Sequence, residues 1–325
     1  MEKKKIITIV ILFVLALIVG IGAGYTLKKV KAAADAKAQR QQEMDSMVHS
    51  YSDDEDEDDE EEESEEESEA ESETEVSENT ESETETSENT ESETESSEAT
   101  TETVAKESEP YTYVAIGNSV TCNEYPLSVE NLWWSSAAMC VTKPSRDYAH
   151  RFRKYLDKKT EAEKDVSLMT IVIKNWENSC DRNYYADIVI DSLPDDAKVI
   201  SIQMGENVTE YKENMAAQFE YLYSGIRNKC PDAKILLFEE ILWPQEDVQE
   251  AMYAAAQNNG ITIIDISEFN EKYETEYKAY QGMEVLGDDG NTYIVNDITV
   301  AAHPNDEGHK CLARLLEEAY ESIAD

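Results

Sequence analysis

Residues 53–109 carry 30 acidic side chains and one basic one, and this limits where the chain can fold. The stretch runs through an almost pure Asp/Glu block and then three ten-residue units, ESETEVSENT, ESETETSENT and ESETESSEAT, over residues 71–100. With almost no apolar side chains and dense like charge, it has nothing to set against the entropy of ordering and is expected to be disordered. As a flexible coil such a segment would span about 40 Å between its ends, and self-repulsion extends that further. The hydrophobic core must come from elsewhere. The 216 residues from 110 to 325 are enough for one domain.

Charge divides the chain into three parts. Residues 1–52 hold 8 basic and 4 acidic groups, and residues 110–325 hold 19 and 38, which with the acidic stretch gives the net −44. A domain at −19 beside a stalk at −29 repels phosphate backbones and anionic headgroups, so nucleic acid is excluded as a partner.

After a short basic N-terminus (residues 1–5), residues 6–27 contain no charge and only Thr8, Tyr25 and Thr26 as polar members. As a helix they would rise about 33 Å, against a hydrocarbon core of about 30 Å. They are expected to form a transmembrane helix. A cleaved secretory signal has a shorter apolar stretch of about 7–15 residues, which favours an uncleaved signal anchor. Lysines 3, 4 and 5 precede the span and lysines 28, 29 and 31 follow it, so the positive-inside rule is nearly balanced. The acidic stretch suits a solvated spacer holding a domain off a surface, and that places the domain on the extracellular side of the cell membrane. Residues 28–52 are expected as a polar juxtamembrane segment with a short polar helix, and residues 53–109 as the stalk. The five cysteines, at 122, 140, 180, 230 and 311, lack any Cys-x-x-Cys spacing. An odd count leaves at least one thiol free and points to few or no structural disulfides.

Beyond residue 110, apolar runs of strand length at 113–116, 168–173, 199–203, 235–238 and 261–264 alternate with helical patterns at 146–158, 208–228, 246–258 and 305–322. Short β-branched runs interleaved with amphipathic helices predict an α/β fold, a three-layer α/β/α sandwich around a mostly parallel five-stranded sheet. In such sheets chemistry gathers at the carboxyl ends of the strands. Three of those ends carry Gly117-Asn118-Ser119-Val120-Thr121, Gly205-Glu206-Asn207 and, ahead of the last helix, His303-Pro304-Asn305-Asp306. A hydroxyl, an amide and an imidazole are the parts of an acyl-transfer site: nucleophile, oxyanion donor and general base.

Each also has an ordinary structural reading. Ser119 would satisfy backbone groups of its turn, Asn207 would cap a helix with Glu210 completing the capping box, and His303 would be a loop residue. His150 reads as a packing or surface residue and His309 as exposed. The three domain histidines show no paired ligand spacing, so neither a metal nor another cofactor is expected. Trp133, Trp134 and Trp176 suit either a sugar-binding cleft or the core.

Taken together and in this order, the motifs resemble the SGNH hydrolases, also called GDSL-type esterases. The resemblance spans nearly the whole domain and adds Trp133-Trp134, Met139, Asp147-Tyr148-Ala149-His150, Trp176-Glu177 and His303 to His309, as in a subgroup where Asn replaces the Asp of the first block. It implies a flavodoxin-like sheet, Ser119 as nucleophile and His303 as general base. The oxyanion donors it implies are the Ser119 backbone, the side chain of Asn207 and a backbone N–H of the glycine block, here Ala138. Two positions depart from the pattern. Ala138 stands where the family has glycine, and Val300 stands where the family's acid lies three residues before the histidine. Asp297 is the nearest upstream carboxylate and Asp306 the nearest downstream; either would reach the ring if the loop bent suitably, and a Ser-His dyad steadied by a backbone carbonyl is the alternative.

The expected function is a membrane-tethered esterase removing acyl groups, acetyl above all, from carbohydrate or cell-envelope polymers, with acyl transfer as a variant of the same chemistry. The competing reading, motivated by Val300 and Ala138, is a catalytically silent SGNH-like domain that binds or scaffolds at the surface.

Overall fold

Alternate residues of the strand β2 (Tyr111–Gly117) face different layers: Tyr113 and Ala115 join one apolar cluster, Val114 and Ile116 the other. The computed structural model describes residues 35–51, 111–124, 133–160 and 166–323, and the expected span at 6–27 and the acidic stretch lie outside them. Among the described residues no helix is long and apolar enough to cross a membrane.

The same alternation runs through β3 (Val166–Val172), β4 (Ala197–Gln203), β5 (Lys234–Phe238) and β6 (Thr262–Ile264), because successive side chains of a strand point to opposite faces. One face packs against α4 (Arg182–Ser192), α5 (Met215–Lys229) and α6 (Glu246–Asn258) through residues such as Val189, Phe219 and Met252. The other packs against α2 (Tyr148–Lys159), α7 (Ser267–Lys272) and α8 (Asp306–Ser322) through Phe152, Phe269 and Leu316. The result is the expected α/β/α sandwich.

With Val48–Tyr51 as β1, neighbouring strands run in the order β1-β3-β2-β4-β5-β6. The five parallel members are the expected ones, each within two residues of its expected bounds. The sixth is a correction. Residues 35–47 form a helix, α1, and β1 (Val48–Tyr51) pairs antiparallel with β3, Val48 opposite Ile171 and Tyr51 opposite Leu168. Met47 at the junction is fully buried in the first cluster, and burying a methionine contributes about 1.5–3 kcal/mol. Arg40 of α1 pairs with Asp191 of α4, His49 bonds the carbonyl of Asn123, and Tyr51 lies edge-on to His150 at 4.5 Å. Residues 35–51, within the segment expected to be a juxtamembrane linker, are therefore part of the domain. It covers what would be an open strand edge.

The chain turns from β3 on one side of β2 to β4 on the other, so the carboxyl end of β2 is a topological switch point, where open α/β sheets form a crevice. Ser119 follows that end by two residues.

Several elements were not expected. The sequence of α4, RNYYADIVIDS, is rich in aromatic and β-branched residues and reads as strand-like, yet it forms a helix capped by Asp181. Lys174–Asn178 adds a short helix, α3, and Glu284–Leu286 pairs antiparallel with Thr292–Ile294 as a separate ribbon. The helix expected from 208 begins at Met215, because Tyr211 takes a left-handed conformation (φ 55°) and a 3-10 turn, Lys212–Asn214, intervenes. Asn207 is thus not a helix cap.

Candidate active site

The turn after β2 is closed by Thr121 and Cys122 N–H groups donating to the Asn118 carbonyl at 2.8 and 2.9 Å. It leaves no room at Gly117, where a Cβ would lie 2.0 Å from Thr121 Oγ1 and 3.0 Å from Gln203 Oε1. This glycine is required by close approach. Ser119, next to the buried Asn118, is half-buried and reaches out of the turn.

His303 arrives from the other side, after the 3-10 turn Val300–Ala302, and its ring is buried. Its Nε2 lies 2.7 Å from Ser119 Oγ. The other ring nitrogen, Nδ1, faces the carbonyl oxygens of Val300 at 2.9 Å and Thr299 at 3.2 Å. Carbonyl oxygens only accept, so Nδ1 carries the proton and Nε2 is left as the acceptor for the serine hydroxyl.

No carboxylate faces this ring among the contacts of Asp297 and Asp306. Asp297 instead accepts the backbone N–H groups of Thr299 (2.7 Å) and Val300 (3.0 Å), and those bonds hold its pKa below the usual carboxylate range. It caps the turn whose carbonyls grip the imidazole. Asp306 pairs with Arg146 at 3.0 Å and accepts from Thr142. Nδ1 thus meets backbone carbonyls, while the two carboxylates that the sequence offered bond elsewhere.

Burial without a counter-ion pushes the His303 pKa down to about 4. If His303 is the base, its neutral form is the active one, and activity is lost only where pH falls through the folded pKa. The kcat/KM of p-nitrophenyl acetate hydrolysis is expected to stay level from neutral pH down to about 5 and to fall as pH nears about 4. An acid limb near about 6.5, the ordinary imidazole value, would show that the ring is not held dry.

The loop carrying Ala138 is bound to the Ser119 turn: Met139 N–H donates to the Ser119 carbonyl at 2.8 Å, and Cys122 bridges Ala137. Among the described residues the left-handed backbone in this loop belongs to Cys140 (φ 67°), not to Ala138. An alanine is therefore accommodated at 138 without strain. Cys122 is buried beneath the turn with its thiol pKa raised by that burial, and it donates to the Gly117 carbonyl. All five cysteines are free.

Asn207 is half-buried on the loop after β4, and its Nδ2 donates to Glu177 Oε2 at 2.8 Å. Glu177 in turn accepts from Gly205 N–H at 2.6 Å and from Asn118 Nδ2 at 3.2 and 3.3 Å. Through this carboxyl the Gly205-Glu206-Asn207 motif is joined to Asn118 of the first. Gly205 has φ +121°, and a Cβ there would meet Glu240 Cγ at 2.7 Å.

Glu177 and Glu206 entered the sequence reading only as members of motifs, with no role of their own, and Glu240 did not enter it; their places beyond β3, β4 and β5 are what mark them. Trp243 was also missed. Its indole is half exposed, its backbone is left-handed (φ 49°), and its ring stands perpendicular to His303 at 6.3 Å. By contrast Trp176 and Trp133 are core residues, and Trp134 stacks on Tyr293 at 4.5 Å. His309, expected on the surface, is fully buried and stacked against Tyr148, while His150 is buried with its Nδ1 2.9 Å from Asp147 Oδ1.

No family model and no curated protein matches the chain. Several solved structures resemble it. The salicylyl-acyltransferase SsfX3 of a tetracycline biosynthetic pathway is 15% identical over 66% of this chain, with a TM-score of 0.41, and the chain spans 56% of that enzyme's length. A GDSL-like lipase structure from Bacteroides uniformis is 14% identical over 66% of this chain and 97% of its own, with a TM-score of 0.41. A family two carbohydrate esterase from Cellvibrio japonicus is 15% identical over 66% of this chain and 61% of its own, with a TM-score of 0.40.

Proposed function

We propose that the chain is a serine esterase that removes acyl groups, acetyl above all, from carbohydrate or cell-envelope polymers by a Ser119–His303 dyad. The observation that carries this reading is the 2.7 Å contact between Ser119 Oγ and His303 Nε2, with Nδ1 closed by two backbone carbonyls.

In the first half-reaction Ser119 Oγ bonds to the ester carbonyl carbon while His303 Nε2 takes the hydroxyl proton. Negative charge moves to the carbonyl oxygen, where the N–H groups of Ser119 and Ala138 and the Asn207 amide would meet it. Collapse breaks the bond to the alcohol, which leaves with the proton from Nε2. Water then repeats the sequence on the acyl-serine and regenerates the hydroxyl. A sugar hydroxyl in place of water makes the same site an acyltransferase. The imidazolium formed on the way is opposed by the dipoles of the Thr299 and Val300 carbonyls rather than by an aspartate.

The exposed indole of Trp243 beside His303 supports a sugar as the alcohol, since a half-exposed aromatic face is a surface on which a pyranose packs. The proposed setting is the outer face of the cell membrane, with residues 6–27 as anchor. A silent binding module requires neither the short Ser–His contact nor a fixed imidazole tautomer. The test is a fluorophosphonate probe. Labelling of the folded protein that disappears in Ser119→Ala is the expected result, and folded protein that takes up no label overturns the enzymatic reading.

A further inference from the structure

Three glutamates meet beneath the candidate oxyanion site, each from a different element. Glu177 lies on α3, Glu206 on the loop after β4 and Glu240 just beyond β5, and all three are buried. Groups that face a carboxyl from every side fix what that carboxyl must be. Both oxygens of Glu177 are taken by donors: Gly205 N–H on Oε1, the Asn207 amide on Oε2, and Asn118 Nδ2 across both. Glu206 likewise receives Gln203 Nε2 at 2.8 Å and Ile241 N–H at 2.9 Å on one oxygen, and Asn118 Nδ2 at 2.8 Å on the other.

Neither oxygen pair has an acceptor to which a carboxyl proton could be given. Glu240 differs: its Oε2 accepts Gln245 N–H at 2.9 Å, while its Oε1 is buried without a partner, against Gly205. Burial raises the pKa of all three, Glu177 to about 7 and Glu240 to about 8. Of the three, Glu240 is the one with an oxygen that accepts no donor, whereas the donors around Glu177 match its acceptor form.

Asn118 is the other half of the arrangement. Its single NH2 group spans two carboxyls, and its Oδ1 accepts Val120 N–H at 3.3 Å. An aspartate there would set a third acceptor against two acceptors that need hydrogens, with like charges in a dry site. The Asn in the first motif is thus matched to Glu177 and Glu206.

Building on the esterase reading, we infer that Glu177 is a positioning residue: it holds the Asn207 amide and the Gly205 backbone in the pose that meets the oxyanion, with Asn118 as the neutral bridge to Glu206. An amide nitrogen has two hydrogens; Glu177 fixes one, and that aims the other. Misplacement of a catalytic donor by about 1 Å costs up to about 100-fold in rate.

Glu177→Gln keeps the shape but must point its own NH2 at either Gly205 N–H or the Asn207 amide, so one donor is turned away. With p-nitrophenyl acetate, kcat is expected to fall about 10- to 100-fold with KM changed less than about twofold. In an Asn207→Ala background the same change is expected to cost less than about threefold more, because the group it positions is gone. A loss that multiplies with Asn207→Ala, or wild-type kcat in Glu177→Gln, overturns the proposal.

A second measurement is independent of turnover and of any Glu177 variant's folding. The Asn207 side-chain amide, assigned in 15N NMR by its absence in Asn207→Ala, is expected to show one downfield, slowly exchanging proton in the wild-type protein. A solvent-like pair of protons overturns the positioning role. If instead the amide is held but neither turnover nor phosphonate labelling is found, the esterase reading fails and the Glu177–Asn207 hold stands as structure alone.

Discussion

Ser119→Ala is expected to lower kcat for p-nitrophenyl acetate by roughly 10⁴- to 10⁶-fold, His303→Ala by a comparable factor, and the two together by no more than either alone. The reason lies in the geometry of one proton. Ser119 Oγ and His303 Nε2 share it at 2.7 Å, so removing the base leaves a hydroxyl that is not nucleophilic, and removing the hydroxyl leaves a base with nothing to activate. Two groups acting in one step fail together, whereas independent contributions multiply. Single-turnover rates of the two single variants and the double variant decide it, with circular dichroism confirming the fold. A double variant slower than both singles by the product of their effects would break the dyad.

The second large effect is at Asn207. Asn207→Ala is expected to reduce kcat about 10²- to 10³-fold, roughly 3–4 kcal/mol of transition-state stabilisation, with KM little changed, because the amide serves charge that exists only on the way to the tetrahedral intermediate. Its side chain is not needed to start a helix, since α5 begins at Met215, eight residues on. A KM rise at constant kcat would assign the amide to ground-state binding. A fall in melting temperature with unchanged kcat would assign it to the fold.

How much of this was legible depended on whether the signal was local. The parallel strands were readable because burial on both faces dictates short continuous apolar runs. Ser119 and Asn207 stood out as candidates because each follows such a run in a short motif, and His303 because it stands just ahead of the last helix. The helix α4 was not, since its tyrosines and β-branched residues favour a strand locally and only packing against α5 and the sheet overrides them. The support for His303 was not readable either. A backbone carbonyl leaves no mark on side-chain identity, so Val300 signalled only that an aspartate was missing, while its carbonyl oxygen serves the ring at 2.9 Å. Glu177, Glu206 and Glu240 lie 29 and 34 positions apart along the chain, and each reads alone as a surface acid. Only the convergence of three strand ends shows them to be one buried set.

The edge strand β1 carries a consequence for the integrity of the molecule. Tyr51 lies opposite Leu168 and Tyr111 opposite Val166, so the chain departs and re-enters at the same end of β3, the end remote from Ser119. Severing the polypeptide anywhere between 52 and 110 therefore liberates nothing by itself: the upstream piece stays gripped by its ladder with β3, by Met47 in the apolar interior and by the Arg40–Asp191 pair. Such a nicked protein is expected to elute as a two-piece particle in gel filtration and to part into its pieces in denaturant.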